Sequence, residues 1–122
     1  MRPAPRAGEM TVRPPTPPET LLAALIGCTS RISHKIAAKH GVEIQDMAVD
    51  LEVRFDRKGV NLEVEIDVPI IAITLNIDMT TDALDDAVET IKSDLREFCP
   101  ISKIIRASGT EITEIRTDQR PT

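Results

Sequence analysis

The hydrophobic period of this chain changes twice, and each change marks a switch between helix and strand. Leu21, Leu25, Cys28, Ile32 and Ile36 recur at steps of 4, 3, 4 and 4, an apolar stripe along one helix face. From residue 47 the step falls to two. Met47, Val49, Leu51, Val53 and Phe55 alternate with Ala48, Asp50, Glu52 and Arg54, as in a half-buried strand with one wet face. Helical spacing returns with Leu84, Val88, Ile91, Leu95 and Phe98. A chain that mixes these periods is read as an α+β fold.

Local signals set the expected ends of these elements. Thr16 is placed to cap the first helix, and Pro18 suits its first turn. Lys39 and His40 favour the last turn, and Gly41 stops it. Cys28 falls on the buried face of this helix of about 20 residues. After the first strand, "DRKG" (56–59) reads as a turn. Leu62, Val64, Ile66 and Val68 alternate with Glu63, Glu65 and Asp67, the second arm of a hairpin. Pro69 then breaks that ladder or forces a bulge. Ile71, Ile73, Leu75 and Ile77 resume on the opposite parity, as a kinked continuation or a third strand.

Thr80 or Thr81 can cap the second helix, with Asp82, Asp85 and Asp86 in its first turn. Pro100 disfavours helical geometry at Cys99 and opens a short third helix that Gly109 ends. "TEITEIRT" is a last strand. No internal repeat is visible.

A length of 122 residues suggests one domain. There is no Trp or Tyr and there are two Phe, so the core must be built of Leu, Ile, Val and Ala. The net charge of −5 argues against nucleic-acid or anionic-membrane partners, which need clustered Lys and Arg. No apolar run approaches the roughly 20 residues of a membrane span. The first residues lack the apolar stretch of a secretory signal. A cytoplasmic, reducing location is therefore expected. Residues 1–18 hold six of the nine prolines. Residues 1–17 are read as an extended arm lying on a partner subunit, with "EMTVR" (9–13) at most a short edge strand, and 18–122 as the domain proper.

Two cysteines stand 71 positions apart. In a reducing compartment they are apolar fillers or redox groups rather than a permanent staple. Cys99 occupies the position of an N-cap side chain, where the helix dipole favours thiolate. Cys28 on its stripe reads equally as core. Arg31, three residues on, lies within reach of the same face or points to water. His34 and His40 do not share the short spacings of a structural zinc site with either cysteine, so no metal is expected.

The stretch "TPPETLLAALIGCTSRI", followed some seventy residues later by "REFCPISKII", resembles the OsmC/Ohr family of thiol-dependent hydroperoxide reductases. The shared features are a proline-acidic helix start, "LLAAL-G-C" within the helix and a late "CP-[VI]-S". The resemblance runs over about residues 16–115. It implies an OsmC-like fold, with an antiparallel sheet, two long helices and an intertwined homodimer. It implies that Cys28 is the peroxidatic cysteine, which attacks an organic hydroperoxide, and that Cys99 resolves the sulfenate as a disulfide. A dithiol reductant resets the pair, with no cofactor.

Glu19 matches the family's acidic position. On a continuous helix it lies about 13.5 Å along the axis from Cys28 and half a turn round, so it would serve the partner subunit's Cys28. Its simpler role is complementing the helix dipole. The family's arginine, from a hairpin before the helix, has no match. Arg2, Arg6, Arg13 and Arg31 are the available stand-ins.

The alternative is a non-enzymatic OsmC-like dimer, binding a small ligand or purely structural, with inert buried thiols. A thioredoxin-like reading of "CPIS" is weaker, because a helix rather than a βαβ unit surrounds it.

Overall fold

The computed structural model describes residues 16–121. The proline-rich arm therefore lies outside the described residues, apart from Thr16 and Pro17. Helix α1 spans Pro17–Lys39. Thr16 caps it as anticipated, and Glu19 closes a reciprocal capping box. His40 forms the C-cap. Gly41 follows at φ +69°, a conformation that glycine adopts without strain.

Strands β1 (Ile44–Phe55) and β2 (Ile70–Thr81) form an antiparallel pair. The expected hairpin partner, residues 62–68, is not a strand. It belongs to the loop that Asp56 N–H closes by donating to Pro69 O at 2.9 Å. Pairing decides the matter. Ile73, Leu75, Ile77 and Met79 stand opposite Val53, Leu51, Val49 and Met47, so the two strands share one continuous apolar face, buried on β2 and half-buried on β1. Residues 62–68 run into Pro69, which cannot donate to a ladder. Leu62 is 91% exposed, at φ +62°.

Helix α2 (Asp85–Phe98) starts later than Thr80 or Thr81 would have set it, because β2 continues through both threonines. Thr81 Oγ1 instead donates to Glu43 O at 2.7 Å and accepts from Ala83 N–H at 3.2 Å. Leu84 is the N-cap and Phe98 the last residue of α2, and both are exposed. Helix α3 (Pro100–Ala107) follows at once, and then β3 (Glu111–Gln119).

The sheet order is β1-β2-β3, and β3 runs parallel to β2. The expected antiparallel sheet is thus a mixed one, while the two long helices and the short third helix stand where they were expected. The cause is the connection. Helices α2 and α3 form a crossover that returns the chain to the end where β2 began, and a crossover yields parallel strands.

One core joins the elements. The face of β2 bearing Ile73, Leu75, Ile77 and Met79 is almost fully buried. From α1 come Leu22, Leu25, Ile36 and Ala37, with Thr29 and Ser33 between them. The buried stripe lies about 70° round the helix from the expected one. Leu25 and Ile36 are buried, Cys28 and Ile32 are half-buried, and Leu21 is exposed. Thr29 can sit in the core because its Oγ1 donates to Leu25 O at 2.8 Å. Helix α2 contributes Val88, Ile91 and Leu95. Among the described residues, no helix is long and apolar enough to cross a membrane.

Leu75→Ala is expected to cost about 2–5 kcal/mol in urea denaturation, because it opens a cavity at the centre of the sheet. Val64→Ala, in the loop, is expected to change stability by less than about 0.5 kcal/mol. A large loss at Val64 would mean that residues 62–68 pair as a strand after all.

Candidate functional site

Cys28 and Cys99 come together. Their sulfurs are 3.2 Å apart, with Cys99 Sγ donating to Cys28 Sγ. Both thiols are free. Cys28 sits midway along α1 and is half-buried, whereas Cys99 is 1% exposed.

The local sequence explains the geometry. Cys99 is at once the C-cap of α2 and the N-cap of α3, at φ −72° and ψ 107°. Pro100 pushes the residue before it into this extended region. The break turns the chain while α2 and α3 hold it on either side. Cys99 N–H donates to Leu95 O at 3.0 Å, and Lys103 N–H donates to Cys99 O at 3.1 Å. Ser102 Oγ also donates to Cys99 O, at 3.4 Å. Both α2 and α3 pack on α1, so the junction presses its sulfur onto the middle of that helix.

Two opposed influences act on the Cys28 thiol. Burial pushes its pKa up, and the Cys99 sulfur raises it further, by hydrogen bonding and by charge. A hydrogen bond from the backbone N–H of Ile101 pulls it down, and the net shift is upward. Cys99 itself makes no side-chain capping bond. The expected donation from the α3 N-terminus is therefore directed at Cys28 instead. The signal for Ile101 was present in the sequence: with Pro100 at N1 and lacking an N–H, Ile101 supplies the first amide of the helix.

The other candidates lie apart. Glu19 Oε1 accepts from Thr16 N–H at 3.2 Å and from Thr16 Oγ1 at 2.8 Å, two turns and more from Cys28 along one unbroken helix. Arg31 is exposed. Among the described residues, no cation figures in the shift of Cys28. His34 Nδ1 is 2.8 Å from Ser30 O, and His40 Nε2 is 3.3 Å from Asp94 Oδ2. Neither histidine is engaged with the thiols.

This thiol pair sits in a sequence that matches a family model described as "OsmC-like protein" over residues 10–114. The chain belongs to the OsmC-like family. Solved structures of similar fold include an OsmC-like protein from Mycoplasma pneumoniae, at TM-score 0.70 and 13% identity, covering 84% of this chain and 71% of that one. The organic hydroperoxide resistance protein OsmC from Legionella pneumophila matches at TM-score 0.63 and 16% identity, over 83% of this chain and 68% of its own. The organic hydroperoxide resistance protein OhrB of Bacillus subtilis matches at TM-score 0.58 and 19% identity, over 91% and 74%. At such identities the likeness is one of fold. No curated protein sequence matches the chain.

The sulfurs need to approach by only about 1.2 Å to reach disulfide bonding distance. One equivalent of peroxide is therefore expected to convert the reduced chain to an intrachain disulfide, read by mass spectrometry of non-reduced peptides. Closing so long a loop is expected to raise stability by about 2–4 kcal/mol over the reduced form. Mixed intermolecular disulfides, or an oxidised form less stable than the reduced one, would contradict the geometry.

Proposed function

We propose that this OsmC-like protein is a cysteine-based peroxidase that reduces organic hydroperoxides. The observation that carries the reading is the 3.2 Å contact between a half-buried and a buried sulfur on three helices of one core. Cys28, the more accessible, is the attacking thiolate. Its sulfur displaces alkoxide from the outer peroxide oxygen and becomes a sulfenic acid, and the alkoxide takes a proton and leaves as alcohol. Cys99 then attacks the Cys28 sulfur, forming the disulfide and releasing the hydroxyl as water. A dithiol reductant donates two electrons and two protons to restore both thiols. In sum, one hydroperoxide and one dithiol give one alcohol, one water and one disulfide of the reductant.

Ile101 N–H favours the thiolate, whereas burial opposes it. A cation beside Cys28 would tip the balance. In this reading it comes from an arginine of the 1–17 arm or from Arg31, in a homodimer of the 18–122 domain. Glu19 takes part across the subunit boundary, since its own helix carries it away from Cys28. The cycle suits a reducing, cytoplasmic setting in which a dithiol pool resets the disulfide.

Cumene hydroperoxide consumption by the full-length protein, with dithiothreitol as reductant, tests the reading. Wild type is expected to turn over, and Cys28→Ser to fall by at least about a hundredfold. Cys99→Ser is expected to keep one rapid turnover and to lose the steady state supported by disulfide formation. Equal, slow consumption by wild type and Cys28→Ser would refute the proposal.

A further inference from the structure

Away from the thiols, a second polar site lies between α2 and β3. Arg116 on β3 shares the helix-covered face of the sheet, opposite Ile77 in register. Its Nε, Nη1 and Nη2 are all shut off from solvent, and among the described residues none has a hydrogen-bond partner. A guanidinium offers five donors in a planar fork that fits a carboxylate. Leaving all of them unmet in a desolvated setting is unfavourable unless something binds there.

The space beside Arg116 is a cleft of about 360 Å³, also bordered by Lys92, Arg96, Glu89, Glu97 and Glu114. That is large enough for a small organic molecule. The other two cations are already engaged. Lys92 Nζ lies 3.0 Å from Glu89 Oε1 and 3.5 Å from Asp118 Oδ2. Arg96 Nη2 lies 3.5 Å from Glu114 Oε2. Glu114, Asp118 and Glu89 act on Arg116 only through space. The border thus carries three cations and three carboxylates, with one guanidinium fork unbonded. These charges already sum to zero, so it is the unbonded fork, not a surplus of positive charge, that calls for a partner, and one carboxylate fills it. A doubly charged phosphate would face Glu89, Glu97 and Glu114 with no further free cation at the border to offset it.

We propose that the α2–β3 cleft binds a small monocarboxylate, the Arg116 guanidinium turning out from its buried position to pair with the carboxylate two-pronged and the carbon chain lying along the cleft. This site is independent of the peroxide reading. The test is the Arg Nε–Hε region of the ¹H–¹⁵N spectrum of the full-length reduced protein, titrated separately with butyrate, benzoate, inorganic phosphate and chloride at constant ionic strength. The Arg116 resonance is expected to shift saturably with butyrate or benzoate, and Arg116→Gln to weaken that binding at least tenfold, read on neighbouring amides such as Lys92. The rate of Cys28 alkylation in Arg116→Gln is expected to match wild type, which separates this result from any failure at the thiols. Three wild-type outcomes would overturn the proposal without relying on the variant. They are no saturable shift with either carboxylate, an equal response to chloride, and tighter binding of phosphate.

Discussion

The contact between sulfur 28 and sulfur 99 depends on one backbone junction. Cys99 cannot remain helical before Pro100, so α2 ends there, and Pro100 is preadapted to begin α3. The same two-residue break that bends the chain therefore aims a buried sulfur at α1. It also leaves the first amide of α3, on Ile101, directed at the Cys28 sulfur. One steric rule about proline thus accounts for the course of the chain, the sulfur pair and the donor that polarises it.

The rest of the fold holds this junction in register. Strand β2 lies at the centre of the sheet, paired on one side to β1 and on the other to β3. The α2–α3 crossover connects β2 to β3, so the junction is tied at both ends to the sheet, at one of them to its best-buried strand, β2. Helix α1 closes over β1, α2 and α3 and supplies the second sulfur. Burial has a chemical consequence, since it makes Cys28 harder to ionise even as it keeps the pair dry. The described residues supply an amide dipole but no cation to offset this, which is why the proposed chemistry looks to the arm, to Arg31 or to a second subunit.

How much of this was legible in the sequence follows the range of the forces involved. Capping is local, and the Thr16–Glu19 box, the Gly41 stop and the Cys99–Pro100 break could all be read from neighbouring residues. Strand pairing is not local. Residues 62–68 and 70–81 carry the same alternation, and only the register against β1 selects the second. The parallel course of β3 is likewise a property of the crossover and not of "TEITEIRT" itself. On α1 a purely apolar stripe missed Thr29 and Ser33, and the Thr29 hydroxyl enters the core by bonding back to its own helix. The sulfur pair could be suspected from two motifs, but its closeness needed the fold. Arg116 is not legible in the sequence, because a lone arginine on a strand gives no periodic signal.

The central claim is that Cys28 is the sulfur that meets peroxide and that Cys99 waits beside it. The most direct measurement is to treat Cys99→Ser with one equivalent of cumene hydroperoxide in the presence of dimedone and to map the adduct by peptide mass spectrometry. Near-stoichiometric dimedone labelling of Cys28 is the result this account requires. An unlabelled Cys28 in a folded protein, with the peroxide unconsumed, would contradict it.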